Sequence, residues 1–335
     1  MKYQEMLQTE ESIAFVKEFF AKELATALSL VKVSAPLVVL EGTGINDDLN
    51  GIERAVSFPV KALNEQTAVV VHSLAKWKRL RLKELGVETN KGILTDMRAL
   101  RPDEEYTPIH SIYVDQWDWE QRISEEERSI AYLKKSVIKI YDALKKTEKT
   151  VEGLYTHIKA TLPETITFIH SEELLQRYPS LTPKQRETAI TKLYGAVFIM
   201  GIGGKLSDGE THDGRAADYD DWSSTNEAGF KGLNGDILLW HPVLECAFEV
   251  SSMGIRVDKD ALIRQLKEKD CEERASLLFH KMLLSDNLPQ SIGGGIGQSR
   301  VCMFMLKKAH IGEVQVSIWA DEEREKMRLE GVNLL

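Results

Sequence analysis

The stretch Ser291–Met305, read SIGGGIGQSRVCMFM, holds the residue types best suited to chemistry on an anion. Glycine has no Cβ, so a flat ligand can lie close against the backbone. The start of a helix favours anions, and an arginine there adds a fixed charge for phosphate. We therefore predict a glycine turn beneath a nucleotide, although a turn that only caps a helix also fits. The residues of this predicted site are Gly293, Gly294, Gly295, Gly297 and Arg300.

Two acids flanked by apolar residues suggest a second kind of site. Asp236 lies in GDILLW and Glu249 in CAFEVSSMGIRV, stretches that we predict to be adjacent antiparallel strands. A buried carboxylate needs a cation or a hydrogen-bond donor. The two acids could share a Mg²⁺ ion that also holds nucleotide phosphates. Internal salt bridges to Arg256 and Lys259 are the alternative, and the sequence leaves both open.

Residues 107–120 alternate in a way that predicts a strand with a polar pocket on one face. Gln116 and Asp118 fall side by side on the face that also carries Ile112, Val114 and Glu120, with Trp117 and Trp119 on the other. We expect this strand to pair with residues 92–104 as a hairpin. Its connection would then carry Arg101, Glu104 and His110.

Composition limits the class of protein. The chain has 335 residues, 43% of them hydrophobic, and a net charge of −9, which argues against a surface built for nucleic acid. The three cysteines are scattered, so a disulfide scaffold or zinc site is not expected. We see no secretory core and no apolar run of membrane length, and we expect one cytoplasmic domain spanning residues 1–335.

The elements that would position these residues follow from local patterns. We predict helices over Glu10–Leu30, Ser73–Gly86 with Ser73 as N-cap, Ile123–Leu144, a segment capped by Thr182 and Pro183, and Glu272–Leu284. Strands are expected at Leu30–Leu40, interrupted by Pro36, and in the tail IGEVQVSIW, for which an extended segment is the alternative. The lysines and arginines of the second helix are interpreted as a solvated face, with an anion-binding patch as the alternative.

Residues 205–222, with Arg215 and Asp220, are interpreted as a solvated lid or binding loop more than as a metal site.

Several of these pieces together resemble the catalytic core of class II aminoacyl-tRNA synthetases. The first helix and VKVSAPLVV resemble the first motif of that class, and MRALRPDE with HSIYVDQWDWE resembles the second. GGGIGQSR resembles the third, and FEVSSMGIR the strand before it. The chain departs from the synthetase pattern at Ser299, where an acid is usual, and at Ser252-Met253-Gly254, where Gly-Gly-Ser is usual.

Within that superfamily the chain is more similar to ammonia-dependent asparagine synthetases, over essentially its whole length. VHSLAKWKR, YVDQWDWE, GIGGKLSDG, DYDDW, LNGDIL and SSMGIRVD carry the likeness. It implies an α+β fold with a mixed, mainly antiparallel sheet flanked by helices, in a homodimer. It also implies that L-aspartate reacts with ATP to give β-aspartyl-AMP and pyrophosphate, after which ammonia displaces AMP. A tRNA-aminoacylating enzyme and a non-catalytic regulator remain alternatives.

The same resemblance implies roles for particular residues. Arg101 and Arg300 would act on the ATP phosphates, and either Asp47 or Asp220 would take a proton from ammonium. The substrate aspartate would be bound by Asp47, Lys78, Gln116, Asp118, Asp220, Ser251, Ser252 and Arg256. ATP would be bound by Arg101, Glu104, His110, Arg215, Arg300 and the four glycines, and Mg²⁺ by Asp236 and Glu249.

Overall fold

The computed structural model describes residues 2–47 and 53–335. The helices of that part are α1 (Lys2–Leu28), α2 (Ala75–Glu84), α3 (Ile130–Leu154), α4 (Ser171–Arg177), α5 (Pro183–Tyr194), α6 (Lys259–Glu268), α7 (Leu278–Leu284), α8 (Gln298–Met305) and α9 (Asp321–Leu329). The strands are β1 (Leu30–Lys32), β2 (Val38–Leu40), β3 (Ser57–Val60), β4 (Gln66–Val70), β5 (Gly92–Leu100), β6 (Tyr113–Arg122), β7 (Thr167–His170), β8 (Ala196–Met200), β9 (Asn234–His241), β10 (Cys246–Ile255) and β11 (Ser291–Gly297).

A large mixed sheet forms the centre of the fold. Its eight strands run in the order β1-β5-β6-β11-β10-β9-β8-β7. The outer pairs β1–β5 and β7–β8 are parallel, and the five pairs between them are antiparallel. The expected α+β class with a mainly antiparallel sheet is thereby confirmed, and so is the predicted β5–β6 hairpin. A second sheet of three strands has the order β2-β4-β3.

Helices α1 and α3 cover one face of the large sheet. The apolar stripe of α1 reaches complete burial at Val16, Phe20 and Leu24, and the Phe20 ring lies 4.7 Å from the ring of Trp117 on β6. The other face of β6 is therefore left for the polar side chains that the alternation predicts. Burying a large aromatic side chain on one face thus fixes which side chains of the strand point away from the core.

Local capping signals place α5 as predicted. The Thr182 hydroxyl accepts the Gln185 N–H, and the Gln185 side chain accepts the Thr182 N–H, which is a complete capping box. Pro183 occupies the first turn, and Gly195 follows the last helical residue with a positive φ of 75°. This helix begins and ends where the sequence indicates because the signals involve only neighbouring residues.

The glycine stretch is a strand, so the prediction of a glycine turn was wrong. Residues 291–297 form β11, the strand between β6 and β10, and α8 follows immediately at Gln298. The glycines are required by close packing: a Cβ on Gly293 would lie 1.9 Å from Glu120 Oε2, and one on Gly294 would lie 2.5 Å from the Met253 Cβ. The small size of glycine, and not a turn conformation, therefore explains why glycines occupy this stretch.

Other local predictions also need correction. Helix α1 begins earlier than predicted, α3 begins later, and the predicted helix over Glu272–Leu284 is a 3₁₀ segment followed by α7. Leu30–Leu40 splits around Pro36 into β1 and β2, which join different sheets, because proline lacks a ladder donor. Leu74, not Ser73, is the N-cap of α2. In the tail, Ile311–Glu313 is a 3₁₀ turn and residues 315–320 are neither helix nor strand, so the predicted strand is not formed there. The sequence also predicts a loop rich in glycine and asparagine over Glu41–Gly51, and its residues 48–51 lie outside the described part of the chain.

Over residues 2–47 and 53–335, none of the helices combines the length and apolar character that a bilayer crossing needs.

The glycines of β11 give a stability prediction. Gly294→Ala should lower the free energy of unfolding by about 1–3 kcal/mol or more, because the new methyl meets the Met253 side chain and the Ser252 carbonyl oxygen. Gly153→Ala is the matched control, since a Cβ at this position of α3 meets nothing within 4 Å. It should raise stability by about 0.5–1 kcal/mol. Urea denaturation of both variants measures the difference, and equal midpoints would contradict the packing argument.

Candidate active site

A cavity of about 590 Å³ opens on the polar side of β6, β10 and β11, under the loop at residues 205–222. It brings together most of the residues that the sequence assigned to a site. These are Asp47, Lys78, Arg101, Glu104, His110, Gln116, Asp118, Arg215, Asp220, Glu249, Ser251, Ser252, Arg256, Gly294, Gly295, Gly297 and Arg300. Gly293 and Asp236 do not line it, but Asp236 forms an ion pair with Arg215, which does.

The floor of the cavity rests on a buried arginine between two acids. Two nitrogens of the Arg256 guanidinium contact the Glu120 carboxylate at 2.8–3.1 Å, and a third donates to Asp220 Oδ1 at 2.6 Å. Ser291 Oγ donates to Glu120 at 2.7 Å. Burial would raise the pKa of Glu120, but Arg256 and Lys78 more than compensate and lower it. Glu120 is fully buried, so its charge depends on these partners.

Lys78 lies beside this group and joins α2 to the glycine strand. Its ammonium donates to the Gly294 carbonyl oxygen at 2.9 Å and to the Asp118 carboxylate. Burial lowers the pKa of Lys78, and the neighbouring Arg256 acts in the same direction. Lys76, Lys78 and Arg79 are at most 1% exposed, so the interpretation of α2 as a solvated basic face was wrong. Three cationic side chains of this helix instead point into the protein, where carboxylates and carbonyl oxygens accept their hydrogen bonds.

One end of the cavity is rich in carboxylates. Asp47 accepts a hydrogen bond from Ser73 Oγ at 3.0 Å, and Asp220 lies on the opposite side against Arg256. Burial raises the pKa of Asp220 although Arg256 and Arg215 oppose the shift. Gln116 and Asp118 complete this end, as the alternation of β6 predicts. Such a group of acids can bind an ammonium group and can accept a proton.

The other end is rich in arginines. Arg300 donates to the Glu249 carbonyl oxygen at 2.9 Å and to His110 Nε2 at 2.8 Å. Because His110 Nε2 accepts, its Nδ1 carries the proton and bonds Thr107 Oγ1 at 2.7 Å. Burial and the nearby Arg300 lower the pKa of His110 to about 4, which keeps the ring neutral. Arg101 also lines the cavity, and its Nη2 lies 3.4 Å from the His72 carbonyl oxygen.

Asp236 and Glu249 lie close together on adjacent strands, as the sequence predicts. Asp236 forms an ion pair with Arg215, not with Arg256 or Lys259, and Lys259 instead contacts Asp286. Burial and the charge of Glu249 raise the pKa of Asp236 to about 7, although Arg215 opposes the shift. Mg²⁺ prefers one or two carboxylates together with substrate phosphates, so this donor pair fits the ion.

The loop at residues 205–222 is less solvated than predicted. Asp218, Asp220 and Asp221 are at most 1% exposed, and Asp218 accepts hydrogen bonds from Lys76 at 2.8 Å and His280 at 2.9 Å. Within the described part of the chain, no group of three or more His, Cys, Asp or Glu residues could hold a metal ion. The aspartates serve mainly to attach the loop to the rest of the protein.

Three residues of the site were not assigned by sequence reasoning. Glu120 shares the alternating face of Gln116 and Asp118, so the signal was present. Tyr219 lines the cavity between two buried aspartates, and its ring lies 5.8 Å from the Arg256 guanidinium. Asp115 lines the cavity although it belongs to the opposite face of β6, and no local pattern indicates this.

The fold is that of class II aminoacyl-tRNA synthetases. It is similar to asparaginyl-tRNA synthetase from Pyrococcus horikoshii, with a TM-score of 0.69 and 14% identity over 92% of this chain and 68% of that one. It is also similar to aspartyl tRNA synthetase from Entamoeba histolytica, with a TM-score of 0.60 and 14% identity over 92% of this chain and 58% of that one. At this identity the likeness concerns the fold alone.

The sequence family is narrower than the fold. The model of a family described as aspartate-ammonia ligase matches residues 7–331. An aspartate–ammonia ligase from Parabacteroides distasonis is 59% identical over 98% of this chain and 95% of its own length. An aspartate–ammonia ligase from Bacteroides thetaiotaomicron is 57% identical over 99% of this chain and 96% of its own length. The chain belongs to the aspartate–ammonia ligase family, which confirms the resemblance seen in the sequence and makes it an enzyme of this kind.

The buried pair below the cavity gives the next prediction. Glu120→Gln removes one of the two carboxylates that Arg256 contacts and should lower the free energy of unfolding by about 3–5 kcal/mol, because the buried guanidinium then keeps only Asp220 as a counter-ion. Glu88→Gln breaks the exposed pair with Lys91 and is the matched control, for which we expect no measurable change. Chemical denaturation compares the two. If Glu120→Gln had the same denaturation midpoint as the wild type, the Glu120–Arg256 pair would contribute little to the free energy of unfolding.

Proposed function

We propose that the enzyme amidates L-aspartate with ammonia at the expense of ATP, through β-aspartyl-AMP, with release of AMP and pyrophosphate. The observation that carries this proposal is the division of one cavity into an acid-rich end and an arginine-rich end. The first suits the α-ammonium group of an amino acid, and the second suits phosphates. The names of the 57–59% identical relatives support the same substrates.

The first step joins the two substrates. A side-chain carboxylate oxygen of aspartate attacks the α-phosphorus of ATP, and the bond from that phosphorus to the pyrophosphate oxygen breaks. Asp118 and Gln116 would hold the amino acid, with Lys78 available to its carboxylate. Arg101 and Arg300 would stabilise the charge that gathers on the phosphates, since this chemistry depends mainly on positioning and cations. Asp236 and Glu249 would hold Mg²⁺, which when bound neutralises phosphate charge.

The second step forms the amide. Neutral ammonia attacks the acyl carbon of the mixed anhydride, AMP leaves with the bonding electrons, and the nitrogen loses a proton. Ammonia is mostly ammonium near neutral pH, so a carboxylate must first accept a proton. Asp47 and Asp220 both line the acid-rich end, and both remain candidates for this role.

The proposal also covers the oligomeric state of the protein and its location in the cell. We propose one catalytic domain that works as a cytoplasmic homodimer, with α1 and the segment around Pro36 at the seam. Val31 and Leu37 lie beside Pro36, and their side chains are 68% and 55% exposed in the single chain. Apolar residues of a dimer interface are exposed in this way when the partner subunit is absent. Nucleic acid and membrane are not proposed as partners.

Product analysis tests the reaction. Incubation of the purified protein with aspartate, ATP and ammonium should give asparagine, AMP and pyrophosphate in equal amounts. Glutamine in place of ammonium should give little product, because none of the proposed residues supplies a nucleophile for glutamine hydrolysis. Chromatography of the nucleotides decides the outcome. ADP and phosphate in place of AMP and pyrophosphate would overturn the adenylate route.

Arg101 gives a residue-level prediction for the first step. Arg101→Ala should slow aspartate-dependent pyrophosphate exchange by about 100- to 1,000-fold, the usual loss when one preorganised charge donor is removed. The melting temperature should stay near that of the wild type. Arg122→Ala is the matched control, because the exposed Arg122 only donates to the Val87 carbonyl oxygen at the far end of β6. Full exchange activity in Arg101→Ala would refute its role.

A further inference from the structure

The first turn of α8 is held by side chains from outside its own strand and helix. The Ser299 N–H donates to Asp115 Oδ1 at 3.0 Å, and the Ser299 hydroxyl accepts from Gln315 Nε2 at 3.0 Å. Gln298 Nε2 donates to Asp96 Oδ1 at 2.9 Å. Two consecutive residues just before Arg300 are therefore each bonded to a carboxylate of the β5–β6 hairpin.

Each of these carboxylates is in turn paired with a lysine near the N-terminal end of the chain. Lys17 on α1 donates to Asp115 Oδ2 at 2.8 Å, and Lys32 at the end of β1 lies 2.6 Å from Asp96 Oδ2. The Lys17–Asp115 pair is the more buried of the two, with Asp115 only 5% exposed and Lys17 33% exposed. The Lys32–Asp96 pair is 60% and 41% exposed, so solvent screens it.

Lys17 occupies one carboxylate oxygen and leaves the other for the backbone of α8. Asp115 therefore keeps one orientation in which it faces both groups at once. Without the ammonium, a carboxylate this buried must rotate toward water or take up a proton, and either change weakens its bond to Ser299. Asp115 also lines the cavity, so its uncompensated charge would repel a polyanion bound there.

Arg300 follows Ser299 directly and depends on the same turn. Its guanidinium reaches both the Glu249 carbonyl oxygen and His110 Nε2, so a small shift of the helix start would break both contacts. We propose that Lys17 and Asp115 are positioning residues, which fix Ser299 and thereby hold Arg300 where it meets the phosphates of the nucleotide. This inference rests on the nucleotide site of the proposed function. It assigns a role to two residues that do not themselves bind phosphate.

Direct binding of ATP tests the inference without relying on the ligase reaction. In Lys17→Met the calorimetric Kd for ATP should rise by about two- to thirtyfold, the usual range for residues that act on a site without touching its ligand. The KM for aspartate should change less than the Kd for ATP, because the acid-rich end meets the first turn of α8 through the Gln116 carbonyl oxygen, which accepts from Gln298 Nε2 at 3.3 Å, and not through Ser299. Lys17→Arg keeps the charge and should bind ATP like the wild type.

The double variant Lys17→Met/Asp115→Asn separates charge from packing. Asparagine keeps an acceptor for the Ser299 N–H and needs no counter-ion, so ATP affinity should return toward the wild-type value. Glu23→Gln is the matched control, since Glu23 joins the same helix to Lys146 on α3 at 2.7 Å and has no link to α8. It should leave the ATP affinity unchanged.

Three results would overturn the inference. The first is that Lys17→Met binds ATP as tightly as the wild type does. The second is that Lys17→Met loses affinity for aspartate and for ATP equally. The third is that Lys17→Met/Asp115→Asn binds ATP no more tightly than Lys17→Met. A wild-type protein that binds ATP but makes no asparagine would overturn the proposed function alone, because the binding comparison would still stand. A wild-type protein that binds no ATP would overturn both.

Discussion

The packing of Arg256 against Glu120 fixes most of the other contacts in the site. Both side chains are at most 3% exposed, so each charge needs the counter-ion that the other supplies, to which Asp220 and Lys78 add. Their fit explains the residue at position 293, where a Cβ would lie 1.9 Å from Glu120 Oε2. The same guanidinium holds Asp220, so the pair beneath the cavity also sets the position of an acid inside it.

The cavity contains cations of two kinds, which differ in the partners that they contact. Lys78 and Asp118 neutralise each other at the acid-rich end, whereas Arg101 and Arg300 bond only neutral oxygen or nitrogen atoms among their described hydrogen-bond partners. A cation bonded to neutral acceptors keeps its full charge available for an anion. This difference in partners explains why phosphate is expected at one end and an amino acid at the other.

The fold and the family answer different questions. A mainly antiparallel sheet shared with aspartyl- and asparaginyl-tRNA synthetases at 14% identity shows how the strands are arranged, and no more. The aspartate–ammonia ligase family is shown by high identity along nearly the whole chain. Ser299 is one of the positions at which the sequence analysis finds a departure from the synthetase pattern. Here Asp115, from a neighbouring strand, places a carboxylate against the Ser299 backbone.

Features that depend on neighbouring residues could be predicted from the sequence. The alternation of β6 placed Gln116 and Asp118 on one face, and the Thr182 capping box fixed the start of α5. Features that depend on distant partners became visible in the folded chain. The glycines became a strand and the cations of α2 became buried, because their partners come from other elements. Glu120 and Arg256 are 136 positions apart, and hydrophobic periodicity carries no information about which distant charge will meet which.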